Sequence, residues 1–231
     1  MHHRGQRHPR GVVVDPYFGL MSLHSRTDYV KGTLDLGDVD NNPWGVLEAW
    51  VQEAVDAGIS DPTAFTLSTV DANGFPHGRV VLLRDTRREQ LVFFTNYRSE
   101  KGQDVERLGR AGATFFWPHA ERQIRVRGHV ERVPEEESDA YFSSRPRASQ
   151  LGAWSSNQSQ SVSTRQVLED QYRQRDKEFD GQPVPRPAHW GGYALTPEVI
   201  EFWQGRASRM HDRIVCTRGA EGAWTLERLQ P

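Results

Sequence analysis

The stretch from Ala64 to Val133 constrains this chain most, because short runs rich in β-branched and aromatic residues alternate there with turn residues. Ala64–Val70, Gly78–Arg84, Gln90–Thr95, Ala113–Trp117 and Gln123–Val133 each read as strands. Asp71-Ala72-Asn73-Gly74 is a turn signal: Asp and Asn side chains bond their own backbone, and glycine accepts positive φ. Strands spaced this closely predict an antiparallel sheet or barrel, not a doubly wound fold.

Helices are expected to flank that sheet. Asn42 and Pro43 suit an N-cap and first helical position. Trp44, Leu47, Val51, Ala54 and Val55 then share a face, with Gly58 just past the end. Glu135, Glu136 and Glu137 put acids in the first turn of a second helix, where the dipole favours them, and Pro146 stops it after about Arg145. A third runs from a Ser163 cap through Val167, Leu168 and Tyr172 to Phe179. The proline-rich stretch Gln182–Pro187 is a surface connector. Gly192–Leu195, Val199–Gln204, Ile214–Arg218 and Trp224–Leu229 read as the last strands. No clean linker separates these pieces, so residues 24–231 are expected to form one α+β domain. Residues 1–23, carrying Arg4, Arg7, Arg10 and several histidines, are expected to be a disordered basic tail.

Composition narrows the function. The chain has 29 Lys+Arg against 31 Asp+Glu, a formal net charge of -2, so bulk electrostatics give no support for nucleic-acid binding and any basic site is local. A single cysteine, Cys216, excludes an intrachain disulfide and a cysteine-ligated zinc site, and it fits a reducing cytoplasm. Its strand-like setting predicts a buried, inert thiol. No apolar run suits a membrane span or a signal-peptide core. Walker, Gly-x-Gly-x-x-Gly, Gly-x-Ser-x-Gly and His-Glu-x-x-His patterns are all absent. Chemistry then has to come from a bound cofactor, with the protein supplying grips and orientation.

Three groupings suit anions. If Glu201–Arg213 is extended, Arg209, His211 and Arg213 share a face and repel one another unless an anion sits among them. Trp203 and Gly205 upstream add an aromatic surface and room for close backbone approach, which suits a flat, phosphorylated ligand. The bland alternative is a row of exposed charges on an edge strand. Tyr141 and Arg145, four apart on a helix, and Ser149 beyond Pro146 can converge on a phosphate; the same residues also fit an exposed arginine beside a core tyrosine. Thr95, Ser99 and Lys101 lie where an apolar strand enters a polar turn and offer a third anion site.

Taken together, these segments resemble the pyridoxine/pyridoxamine 5′-phosphate oxidase family. The resemblance spans about Arg26 to Pro231 and includes Arg26-Thr27-Asp28-Tyr29, Arg79-Val80-Val81-Leu82-Leu83-Arg84, Phe94-Thr95-Asn96, the run from Tyr141 to Trp154, Gln158-Ser159, Trp190-Gly191-Gly192-Tyr193 and Arg209-Met210-His211-Asp212-Arg213. It implies a mainly β, antiparallel split β-barrel with flanking helices, assembled as a homodimer with FMN at the subunit interface. On the same resemblance Arg79, Val80, Val81, Leu82, Leu83, Arg84, Phe94, Thr95, Lys101, Gln123, Gln158, Ser159, Trp203 and Arg213 match flavin-contacting positions. Arg84, Tyr141, Arg145 and Ser149 match the grip on the substrate phosphate, Arg209 and His211 match catalytic positions beside the pyridine ring, and Arg26 to Tyr29 match a covering segment. The implied reaction moves a hydride equivalent from C4′ of pyridoxamine or pyridoxine phosphate to FMN and then to dioxygen, giving pyridoxal 5′-phosphate and hydrogen peroxide. Relatives on this fold that oxidise dihydrophenazine precursors, and a non-catalytic flavin- or pyridoxal-phosphate-binding protein, are the competing readings. Two positions depart from the family: Arg84 replaces a usual lysine, and Glu100 replaces an arginine found in many relatives beside Lys101. An acid at position 100 is expected to weaken FMN binding unless a nearby cation neutralises it.

Overall fold

The computed structural model describes residues 28–40 and 42–231; the expected tail and Arg26 lie outside the described residues. Its strands are β1 (Ala64–Val70), β2 (Pro76–Leu82), β3 (Leu91–Asn96), β4 (Arg110–Trp117), β5 (Arg122–Arg132), β6 (Trp190–Gln204), β7 (Asp212–Arg218) and β8 (Trp224–Arg228). The helices are α1 (Leu36–Val39), α2 (Pro43–Asp56), α3 (Glu100–Leu108), α4 (Glu135–Ser144), α5 (Arg147–Ser155) and α6 (Arg165–Glu178).

The strands form one antiparallel sheet in the order β2-β1-β4-β5-β6-β7-β8, with β3 also on β6. A strand has two edges, and β5 occupies one edge of β6 from Tyr193 to Gln204. The other edge is shared: β3 pairs with its first half (Leu91↔Leu195 to Asn96↔Trp190) and β7 with its second (Val199↔Thr217 to Gln204↔Asp212). The sheet curls until β2 returns towards β3. There the pairing is reduced to a bridge at Asp85↔Val92, with the Arg84 N–H donating to the Val92 carbonyl at 2.8 Å. Beyond it the seam is open, and the barrel is split between the end of β2 and the end of β3.

Period-two alternation builds the core. Phe65 and Leu67 of β1 point inward with Phe93, Phe115, Ile124 and Leu195, all nearly inaccessible. Phe65 packs 5.1 Å from Phe115 and 6.0 Å from Phe93, ring centre to ring centre. Helix α2 caps one end, with Leu47 fully buried and Trp50 edge-on to Phe202 at 5.3 Å. Burying one such side chain is worth about 1.5–3 kcal/mol.

Local signals explain most boundaries. Asn42 caps α2 by accepting from the Gly45 N–H, and Gly58 follows its end at φ 63°. Val55, expected in the buried stripe, is 41% exposed because it lies at the edge of the stripe. β2 starts at Pro76 and ends at Leu82, earlier than expected, since the seam releases it. Thr164, not Ser163, caps α6. Helix α4 stops at Ser144, and Arg145 is extended (φ −72°, ψ 147°), because a residue before proline is pushed out of the helical region. Arg145 therefore does not share a helical face with Tyr141. β6 is continuous where two segments were expected. Pro197 is accommodated by a bulge in β6 itself: Arg127 pairs with Val199 and Gly128 with Pro197, leaving Glu198 as the extra residue. A Cβ at Gly128 would lie 1.9 Å from the Thr196 carbonyl oxygen, so the bulge needs glycine.

The largest departure concerns Glu201–Arg213. β6 ends at Gln204 and pairs there with Asp212, so the chain must reverse over residues 205–211. Ala207–Arg209 is a short 3-10 turn with Ser208 and Arg209 at φ 56° and 62°. Strand alternation therefore does not place Arg209, His211 and Arg213 on one face. Among the described residues no helix is long and apolar enough to cross a membrane. Cys216 is fully buried, and burial pushes its thiol pKa up to about 12, as expected for an inert thiol.

Candidate active site

The open seam forms a cleft of about 540 Å³ between the end of β2, the end of β3 and the α4–α5 segment. Val80, Val81, Leu82, Arg84, Phe94, Thr95, Lys101, Tyr141, Arg145, Ser149 and Gln158 all line it, so eleven expected site residues meet there. Leu83 points the other way, into the core.

One end of the cleft is built on the start of α3. Ser99 caps this helix, accepting from the Gly102 N–H and donating to the Asn96 carbonyl, so its hydroxyl is already engaged and not available as an anion donor. The loop after α5 folds back on the same turn. Gln158 Oε1 accepts from Lys101 Nζ at 3.1 Å and from the Thr95 hydroxyl at 3.3 Å, and Ser159 Oγ accepts from the Glu100 N–H at 3.2 Å. Burial, and then the nearby Arg79 charge, hold the Lys101 pKa below its ordinary value. Glu100 opposes that effect and also favours the charged form of Arg79, so the acid is electrostatically part of this end. Two partly buried cations with a helix N-terminus suit an anion.

The other end is built on Arg145. Its guanidinium lies 4.5 Å from the Trp190 ring centre, and Nη1 is buried with no hydrogen-bond partner. Burial first, and the Arg84 charge as well, hold the Arg145 pKa below its ordinary value. No carboxylate pairs with Arg84 or Arg145 among the described residues. A buried N–H without an acceptor costs about 1–3 kcal/mol, more for a charged group, so this arrangement favours an anionic ligand. Tyr141 stacks on Phe94 at 3.9 Å, and Phe94 stacks on Trp190 at 5.5 Å, which fixes the phenol beside the guanidinium. Trp190 was not among the expected site residues. Its sequence signal was its place in the Trp190-Gly191-Gly192-Tyr193 segment that carries the family resemblance.

The remaining described site residues gather elsewhere. Trp203 lies 4.7 Å from the His211 ring, and Tyr29 packs on both, at 5.7 and 5.6 Å. Tyr29 can do so because position 205 is glycine: a Cβ there would lie 2.6 Å from Tyr29 Cγ. Gln123 faces Trp203 across the β5–β6 ladder. His211 Nδ1 accepts from the Arg206 N–H at 3.1 Å, which assigns its neutral-ring proton to Nε2. Arg209 is exposed. Arg213 is tied down, with Nε 3.0 Å and Nη2 2.9 Å from Glu201 Oε1 and Nη1 3.0 Å from the Gln230 carbonyl.

Trp190 and Trp203 sit at opposite ends of β6, and at about 3.3 Å per residue roughly 40 Å of strand separates them. The cleft and the Tyr29–Trp203–His211 cluster therefore do not form one site within a single chain. No group of side chains among the described residues could hold a metal ion.

The fold and cleft define a class: a split-barrel protein with an open cleft lined by Lys101, Arg84, Arg145 and stacked aromatic side chains, suited to flat anionic ligands. The family model described as pyridoxamine 5′-phosphate oxidase matches residues 51–177, and one described as the pyridoxine 5′-phosphate oxidase C-terminal dimerisation region matches residues 190–231. The pyridoxine/pyridoxamine 5′-phosphate oxidase of Paraburkholderia phytofirmans is 48% identical over 207 residues, covering 89% of this chain and 97% of its own. That of Leptospira biflexa is 48% identical over 208 residues, covering 90% and 98%. Among solved structures, PhzG from Burkholderia lata 383, in complex with tetrahydrophenazine-1-carboxylic acid, aligns with a TM-score of 0.81 at 26% identity, covering 87% of this chain and 99% of PhzG. The chain belongs to the pyridoxamine 5′-phosphate oxidase family.

Proposed function

We propose that this protein is an FMN-dependent oxidase that converts pyridoxamine 5′-phosphate, pyridoxine 5′-phosphate or both to pyridoxal 5′-phosphate, with dioxygen as acceptor and hydrogen peroxide as co-product. The observation that carries this reading is the buried, unpartnered Arg145 guanidinium beside Arg84, in a cleft that Lys101 also lines, with the Arg79 charge acting on Lys101. Two anion grips in one cleft match two phosphorylated molecules, a cofactor and a substrate. The residues fit FMN: Lys101 and the start of α3, reinforced by the nearby Arg79 charge, for its phosphate, and the Val80–Leu82 strand for the ring. Bound FMN would accept the hydride equivalent and pass its electrons to dioxygen.

This chain's own residues bind, orient and protonate. Arg145, Arg84, Tyr141 and Ser149 hold the substrate phosphate by charge-assisted bonds, which turns a bimolecular encounter into a near-attack geometry. Gln123, Trp203, Arg209, His211 and Arg213 serve the cleft of a second copy, with Tyr29 covering it. That assignment makes the protein a homodimer, and the matched dimerisation region supports it. His211, with its proton on Nε2, is placed to pass a proton to or from the ligand. Arg209 orients the exocyclic group. We take residues 24–231 as one FMN-binding domain, supported by the single sheet that runs from Ala64 to Arg228, and the cytoplasm as its compartment, supported by the one buried thiol. Neither nucleic acid nor membrane is proposed as a partner.

The direct test is turnover of the FMN-loaded protein with pyridoxamine 5′-phosphate, reading pyridoxal 5′-phosphate and hydrogen peroxide in equal amounts. The likeness to PhzG makes a reduced phenazine precursor the second substrate to try; turnover of it alone would overturn the proposal. Such a substrate has no phosphate for Arg145 to hold.

Two predictions arise here. Arg209→Ala and His211→Ala should keep FMN bound but slow anaerobic flavin reduction at saturating substrate, by 10²–10⁴-fold for a group acting in proton transfer. Parental reduction rates in both would remove them from the chemistry. Glu100→Arg should tighten FMN by roughly 1 kcal/mol at low salt, less at high salt, because a cation replaces an acid beside Lys101. An unchanged Kd would mean that Glu100 does not act on the cofactor phosphate.

A further inference from the structure

Thr69 sits on the inward face of β1 and is 2% exposed, where the alternation calls for an apolar residue. Its hydroxyl donates to Asp104 Oδ2 at 2.6 Å, and Asp104 itself is 7% exposed. An ionised carboxylate only accepts, so the single Thr69 proton points at Asp104 and its lone pairs are left for a donor. That donor is Arg79 Nη1, at 2.7 Å. The same nitrogen donates to the His77 and Leu67 carbonyls at 2.8 and 3.2 Å, so Nη1 is saturated. Nε and Nη2 have no protein partner among the described residues. Asp104 lies three residues after Lys101, on the same side of α3. The chain Asp104–Thr69–Arg79 thus ties the helix that carries Lys101 to the strand that carries Arg79.

We propose that Thr69 and Asp104 are positioning residues for the cofactor phosphate, fixing the Arg79 guanidinium so that its free N–H groups are held beside Lys101. This rests on the reading of that end of the cleft as the FMN phosphate grip. It explains why a buried hydroxyl and a buried acid occupy core positions that apolar residues would otherwise fill at lower cost.

The test uses cofactor-stripped protein titrated separately with FMN and with riboflavin, which lacks the phosphate, following flavin fluorescence. Thr69→Val should raise the FMN Kd about tenfold and leave the riboflavin Kd within about twofold. Thr69→Ser, which keeps the hydroxyl, should restore FMN binding. Asp104→Asn, which keeps the volume, should weaken FMN selectively and serves as the readout should Thr69→Val not fold. In an Arg79→Ala background, Thr69→Val should add nothing further. Equal losses for both flavins, or losses that add to Arg79→Ala, would overturn the inference and reduce the pair to core structure. An Arg79→Ala protein that keeps the parental preference for FMN over riboflavin would instead sink the phosphate assignment beneath it.

Discussion

Arg145→Ala is expected to raise the KM for pyridoxamine 5′-phosphate by roughly 10- to 150-fold, the equivalent of about 1.5–3 kcal/mol, with FMN content nearly unchanged. The guanidinium is placed for this role by packing, since Trp190 lies 4.5 Å beneath it and Pro146 forces the residue out of helix α4. Its buried Nη1 has no protein acceptor, so the protein gives up little internal bonding when the side chain is removed. The loss should therefore fall on the ligand, not on the fold. Arg84 remains in the variant and limits the effect, because one cation still faces the phosphate. Steady-state kinetics with measured flavin occupancy check this. An unchanged KM accompanied by lost FMN would mean that the two grips are assigned the wrong way round.

At substrate concentrations well below the parental KM, mixed dimers should recover activity from two strongly impaired parents. In an Arg145→Ala chain the cleft is damaged but the Trp203–His211 cluster is intact, and in a His211→Ala chain the reverse holds. If each active site takes its cleft from one subunit and its cluster from the other, every heterodimer contains one undamaged site and one doubly damaged site. Random reassortment of equal amounts makes half the dimers mixed, so about a quarter of parental activity should appear. The expectation follows from β6, whose ends carry Trp190 and Trp203 with roughly 40 Å of strand between them. Activity no greater than the mean of the parents after demonstrated subunit exchange would mean that each chain builds its own complete site.

Much of the fold was legible because its signals are local. β1 runs over the expected Ala64–Val70, the Asp71–Gly74 turn has Gly74 at φ 88°, and Asn42-Pro43 starts α2 as expected. Helix α5 was missed because Arg147–Ser155 has a weak apolar stripe, and it folds by packing Leu151 against Phe142 and Trp190. The Glu201–Arg213 stretch was misread because strand alternation was extended through a reversal, and nothing local distinguishes β6 from the turn except Gly205. The site was legible in part. Residue types announced two anion grips, and the cleft brings Arg84, Tyr141, Arg145 and Ser149 together. Which residues share one protomer's cleft depends on the length of β6 and the position of the open seam, both products of long-range pairing. The Thr69–Asp104 link was invisible for the same reason, since its partners are 35 residues apart in sequence.

The central claim is tested most directly by mixing the FMN-loaded protein anaerobically with pyridoxamine 5′-phosphate and following the absorbance of oxidised flavin. The expected result is complete bleaching at one substrate per flavin, with colour returning on admission of air as pyridoxal 5′-phosphate and hydrogen peroxide are recovered. Flavin that stays oxidised in the presence of both pyridoxamine and pyridoxine 5′-phosphate, in protein that binds them, would contradict the oxidase reading and leave a protein that only holds its ligands.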